Sequence, residues 1–279
     1  VEAAHLGLGD WSWEPTVLLG ILAVLVGYVL AWRRGLLTGR DDVSAWFASS
    51  RTRPVLFGIG VAIGFIALLS PIDTGGDDYL FSLHMAQHLL LMMVAPPLCL
   101  LGVVGLHSPF TGPAGRVRRA ARVLVHPWMA TLVFSAVLLV WHLPALYDAT
   151  LTTEPIHVVE HLSFIAVGVV FWWPIVDPMR GRDTRRWVSA FSKIGMLVAS
   201  GIPPTVLGLI FTVAPHAFYD FYVRAPRLWN LSPVMDQQLA GVVMFGAGNL
   251  IYFAAVVAVF WRMFTDPARD EDEAQRVSS

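Results

Sequence analysis

The sequence contains a single cysteine, Cys99. It can therefore close no internal disulfide and holds no Cys-x-x-Cys or Cys-x-Cys metal motif. Charge is also scarce: 14% of residues are charged, against 56% hydrophobic, with a mean hydropathy of +0.63. That balance excludes an ordinary soluble domain of this length. The strict apolar–polar alternation of a membrane β-barrel is missing too. No tandem repeat and no long polar insert interrupts the chain, and nucleic acid is not expected among its partners.

What is present is a series of apolar runs of bilayer-spanning length. Seven are read, at about Val17–Trp32, Val55–Ser70, Leu80–Val104, Pro127–Trp141, Ile156–Val176, Val188–Val213 and Met235–Phe264. Backbone groups in lipid must be bonded internally, so these segments are expected to be helices. The basic residues fix the sidedness. Arg33, Arg34, Arg40, Arg51 and Arg53 follow the first run, and Arg116, Arg118, Arg119 and Arg122 follow the third. Arg180, Arg182, Arg185, Arg186 and Lys193 lie about the junction of the fifth and sixth, and Arg262, Arg269 and Arg276 follow or end the seventh. Only Arg224 and Arg227, of 19 basic residues, fall on the other side. The positive-inside rule then predicts an all-α membrane protein, a seven-helix bundle with the N-terminus outside and the C-terminus cytoplasmic. Residues 1–264 form the membrane domain in this reading, and 265–279 a charged, disordered cytoplasmic tail. Val1 in place of an initiator Met points to a processed or trimmed start. Trp32, Trp128, Trp141, Trp172, Trp173, Trp187 and Trp261 lie near run ends, as in an interfacial aromatic belt.

Two histidine pairs carry the chemistry: His84-Met-Ala-Gln-His88 and His157-Val-Val-Glu-His161. An i, i+4 spacing stacks two imidazoles on one helix face. Random placement of nine histidines would give roughly 0.3 such pairs in the chain. Both pairs fall on the outer side, together with His142, His5 and His216, while only His107 and His126 fall inside. Imidazole is the commonest ligand for transition metals, and polar groups inside a membrane are costly enough to mark function. Packing histidines are the plain alternative for either pair alone. His84, His88, Met92 and Cys99 would share one stripe on a straight helix, an imidazole–thioether–thiol series that suits Cu(I). Pro96-Pro97 breaks that phase before Cys99. The letters His157-x-x-Glu160-His161 match an inverted zinc-protease motif, although Glu160 reads better as a carboxylate that orients an imidazole and balances metal charge. Met85, Asp73 and Asp236 are further candidates, and Asp77 and Asp78 form an acidic external loop that attracts cations. Met85, Met93, Met196 and Met244 also fit ordinary packing. The pairs Pro96-Pro97 and Pro203-Pro204 lie deep in two runs, as packing kinks or as the broken helices of an inverted repeat.

These motifs resemble the CtaG family of multi-span bacterial cytochrome c oxidase assembly proteins. The resemblance is carried by Ser70-Pro-Ile-Asp73, by His84-Met-Ala-Gln-His88 with the following Leu-Leu-Leu-Met-Met-Val-Ala-Pro-Pro-Leu, by His142-Leu-Pro-Ala-Leu-Tyr147, by His157-Val-Val-Glu-His161 and by Asp236-Gln-Gln-Leu-Ala-Gly241. It implies a protein of the bacterial cell membrane that helps place copper at the CuB centre of the oxidase. The expected cargo is copper as Cu(I), held by some of His84, His88, His142, His157 and His161, with zinc as the alternative. The expected partners are oxidase subunits, the lipid bilayer and an external copper donor. No catalytic activity is expected. A seven-span zinc hydrolase using Glu160, and a haem-binding or haem-transport protein using facing histidines such as His88 and His161, are the competing readings.

Overall fold

The computed structural model describes residues 5–37, 52–104, 116–178 and 188–265. Arg40, Arg51, His107, the cluster from Arg180 to Trp187 and the tail from residue 266 onward lie outside the described residues, and nothing is described for the side chains of Arg116, Arg118 and Arg119. Among the described residues every regular element is helical. In chain order these are α1 (Pro15–Arg33), α2 (Arg53–Leu69), α3 (Pro71–Asp78), α4 (Phe81–Gly102), α5 (Arg116–Leu124), α6 (Pro127–Trp141), α7 (Pro144–Thr152), α8 (Glu154–Val176), α9 (Ala190–Val213), α10 (Asp220–Arg224) and α11 (Pro233–Phe264).

Proline starts much of this architecture. α1, α2, α3, α6, α7, α8 and α11 each carry one in the first two helical positions, where its missing N–H is not needed and its fixed φ favours the helix. Among the described residues six helices are long and apolar enough to cross a bilayer: α1, α2 continued by α3, α4, α8, α9 and α11. The fourth expected span is different. α6 has 15 residues, about 22 Å of helix, short of a hydrocarbon core of about 30 Å. It meets α7 at a 73° bend, so a seventh crossing requires the bent pair to act together.

The core lies among α4, α6, α8, α9 and α11, around Met92, Phe134, Phe171, Leu197 and Tyr252. α1 is peripheral and buries none of its residues. Apolar side chains such as Leu19, Phe191, Leu250, Phe253 and Phe264 point outward with more than half of their surface exposed, as lipid-facing residues do. Trp32, Trp128 and Trp261 are similarly exposed, but Trp141 and Trp172 are buried. Those two departures from the aromatic belt have partners: the Trp141 indole donates to Ser163 Oγ at 2.8 Å, and the Trp172 indole to the Met92 carbonyl at 3.2 Å.

The Trp172 bond explains the first proline pair. Pro96 cannot donate to the carbonyl four residues back, which is Met92. The helix widens to a π-turn over Leu90–Val94, and the freed carbonyl accepts the ring N–H from α8. The second pair repeats the device. Pro204 leaves the Ser200 carbonyl free, and the Tyr252 hydroxyl of α11 donates to it at 3.2 Å. Both pairs therefore stitch neighbouring helices together.

Candidate metal centre

α4 and α8 run side by side because Gly168 leaves room. A Cβ there would lie 2.8 Å from the Met92 carbonyl oxygen and 2.9 Å from Pro96 Cγ. The contact brings the two histidine pairs face to face. Within each pair the ring centroids are 4.2 Å apart, and across the helices His84 lies 5.7 Å from His157 and His88 5.5 Å from His161. One ring nitrogen each from His84, His88 and His161 falls within a 4.8 Å group. Glu160, fully buried, points between the α4 imidazoles: Oε2 is 3.9 Å from His84 Nε2, and Oε1 is 4.0 Å from His88 Nε2.

Asp77 joins this cluster from a third direction. The expected acidic loop is instead the last turn of α3. Ser70 caps that helix by accepting from the Ile72 N–H. Asp77 Oδ1 lies 3.4 Å from His84 Nδ1 and 3.5 Å from His157 Nε2. The approach requires glycine at position 76, where a Cβ would come within 2.9 Å of the His84 backbone. No sequence spacing linked Asp77 to the histidines, since it depends on how α3 folds back over α4.

None of the facing atoms has a hydrogen-bond partner. Asp77 Oδ1, both ring nitrogens of His84 and of His88, His157 Nε2, His161 Nε2 and both oxygens of Glu160 are buried and unbonded. Each such group costs about 1–3 kcal/mol, and a buried unpaired carboxylate costs more. Donors that converge without bonding one another are arranged as ligands are. Two donors about 2.0–2.1 Å from one tetrahedral ion sit roughly 3.3–3.4 Å apart, close to the shorter separations here. The residues therefore fit a cation of the imidazole-binding class.

The other candidates occupy different places. His142 Nδ1 donates to the Leu138 carbonyl at 2.7 Å, which turns the Nε2 lone pair of the neutral ring toward Met85 Sδ, 3.4 Å away. Met85 and His142, with His88, Met92, Met93 and Met244, line a cavity of about 40 Å³ that adjoins the histidine cluster. Cys99 is not in the stripe. It faces α2, where Gly60 meets its sulfur, because the π-turn and the prolines shift the helix phase.

Asp73 and Asp236 hold the site without facing it. Asp73 accepts from Gln87 Nε2 at 2.6 Å and Ser12 Oγ at 2.5 Å, and Gln87 also donates to the Ala67 carbonyl. Gln87 lies between the two α4 histidines, so this bond sets the rotation of α4. Asp236 accepts from the backbone N–H groups of Phe81 and Ser82 and from Ser82 Oγ, at 2.7, 3.1 and 2.5 Å. It thereby takes up orphan donors at the start of α4. An aromatic cluster of Phe81, Tyr147, Tyr219 and Tyr222 packs alongside, with Tyr147 5.5 Å from His84. Tyr219 donates to the His142 carbonyl and Tyr222 to the Gly76 carbonyl. Burial pushes the pKa of both phenols above the ordinary tyrosine range, so they stay protonated donors.

Fold and site together define a class: a multi-helix protein of membrane type with a buried histidine–carboxylate centre at one end. A profile of the Caa3_CtaG family, described as cytochrome c oxidase caa3 assembly factor, matches residues 26–266. The chain belongs to that family. It is also 27% identical over 291 aligned residues to uncharacterized proteins of Mycobacterium bovis and Mycobacterium tuberculosis, and 24% identical over 266 to one of Mycobacterium leprae. Each alignment covers 88% of this chain, and the chain spans about 40% of the length of these relatives. No solved structure matches it.

Proposed function

We propose that this protein is a membrane copper chaperone that assists copper insertion at the CuB centre of cytochrome c oxidase. The observation that carries the reading is the convergence of two histidine pairs, from α4 and α8, into one buried cluster without hydrogen-bond partners. His84, His88 and His161 are the copper ligands, and Glu160 balances the charge of the bound ion. His157 lies at the rim of the set. His142 and Met85 present an imidazole lone pair and a thioether to the methionine-lined cavity beside His88, a softer donor set that favours Cu(I) over Zn²⁺.

A chaperone must release its ion, and the cluster lies near one end of the bundle. α4 and α8 begin there, and α3 ends there. In the sequence the arginine-rich segments follow α4 and α8 and precede α2, at the opposite ends of these spans. With α6 and α7 as one bent crossing, the chain has seven spans with its N-terminus outside. The copper site then opens to the outer face of the bacterial cell membrane, within reach of an external donor and of oxidase helices in the bilayer.

A cavity of about 40 Å³ beside His88 is far below the roughly 300–1,000 Å³ of ordinary ligand pockets. It holds neither a lipid nor a porphyrin, which disfavours the hydrolase and haem readings. The test is the oxidase itself, purified from cells carrying H84A/H88A or H157A/H161A. The expected enzyme has its haem but lacks copper at the haem–copper centre. Full copper loading in both variants would contradict the reading, as would tightly held Zn²⁺ with hydrolysis of an amide lipid.

A further inference from the structure

The ligand groups of the cluster form two triads that share one side chain. His84, His88 and His161 make the inner one, and Asp77, His84 and His157 the outer. The two nitrogens of His84 face different sides: Nε2 lies 3.9 Å from Glu160 on the inner side, and Nδ1 3.4 Å from Asp77 on the outer. The imidazole is fully buried, and neither nitrogen has a hydrogen-bond partner. A histidine that served one ion alone would ordinarily donate its other ring N–H to a carboxylate, carbonyl or water. Here the facing Asp77 oxygen is 3.4 Å away and unbonded, and it is equally near a second ring nitrogen, His157 Nε2 at 3.5 Å. These separations match the roughly 3.3–3.4 Å between donors about 2.0–2.1 Å from one tetrahedral ion.

The two triads differ in chemistry and access. The outer set is one carboxylate oxygen and two imidazole nitrogens, which suits a borderline divalent ion such as Zn²⁺ or Cu²⁺. The inner set is all nitrogen and adjoins thioethers. Asp77 retains 29% of its side-chain surface, whereas His157 and His161 are equally exposed at 9% and His84 is fully buried. An ion arriving from the surface therefore meets Asp77 first.

We infer that Asp77, His157 and the Nδ1 atom of His84 form a second metal position, selective for a divalent ion, with His84 as an imidazolate bridge to the inner triad. The inference rests on the copper reading only for the identity of the inner ion. Occupation of both positions displaces the last ring proton of His84 to solvent, so the second ion is bound with release of a proton.

The test uses the full chain in lipid nanodiscs, loaded anaerobically with one equivalent of Cu(I) and then dialysed against Zn²⁺. One zinc per chain is expected. The D77N variant should take up less than one zinc per chain under the same dialysis, with unchanged helical content by circular dichroism. The apo H88A variant, in which only the outer triad is complete, should still take one zinc and should lose it in D77N/H88A. Absence of zinc uptake by the copper-loaded chain, or uptake indifferent to D77N, would overturn the second position. If the chain holds no Cu(I) while zinc uptake by apo H88A still depends on Asp77, the second position stands and the copper reading falls.

Discussion

At the scale of single residues, the histidine pairs and Glu160 were legible, and the approach of Asp77 was not. Spacing alone placed His84 with His88 and His157 with His161, because 3.6 residues per turn is a local property. Whether the pairs meet depends on helix packing, which no local pattern records. Asp73, Asp77 and Asp236 looked alike in the sequence, as acids near the outer ends of spans. Only Asp77 faces the imidazoles, while Asp73 and Asp236 bond to the groups that rotate and start α4. Two outcomes follow. E160Q should weaken Cu(I) binding about 10–100-fold, measured by competition with a chromogenic Cu(I) chelator, because an amide cannot balance the ion's charge. D236N should leave the copper ligands in place but lower thermal stability by about 1–3 kcal/mol, since a charged acceptor of three donors becomes a neutral one. An unchanged melting temperature would show that the start of α4 is held by other means.

At the scale of elements, the proline pairs stood out as features deep in two spans, but not what they do. A freed carbonyl can be taken by any donor on an adjacent helix, and the donors, Trp172 and Tyr252, lie 80 and 52 residues away. W172F and Y252F should each cost about 1 kcal/mol, read from thermal unfolding in detergent. Trp172 also ties the helix of one histidine pair to the helix of the other, so W172F alone should reduce copper affinity as well. Loss of equal size in both variants, or in neither, would contradict that assignment. Gly168 belongs to the same contact. G168L places a side chain against the Met92 carbonyl, 2.8 Å from the position of its Cβ, and should separate the two pairs and abolish high-affinity copper binding.

At the scale of the whole molecule, hydropathy marked every long helix but overstated the regularity of the bundle. The fourth run looked like the others because composition does not report a 73° bend. His142 lies at that bend, and its Nδ1 bond to Leu138 holds it beside Met85 instead of within the triads. In the proposed orientation, a cysteine introduced at Asp220 in a C99S background should react with an impermeant maleimide in intact cells. One introduced at Arg34 should react only after lysis. The reverse pattern would place the site on the cytoplasmic side and remove the route to an external donor. Copper affinity should also fall as pH drops, because each imidazole must lose its proton before it can ligate.

In the proposed function, histidines from α4 and α8 bind one copper ion jointly. X-ray absorption at the copper edge, on the chain loaded with one equivalent of Cu(I), reads that coordination. Imidazole scattering from about three nitrogens near 2.0 Å is expected, falling when either H88A or H161A is introduced, one from each helix. A spectrum without imidazole scattering, or one that survives both substitutions unchanged, would contradict it.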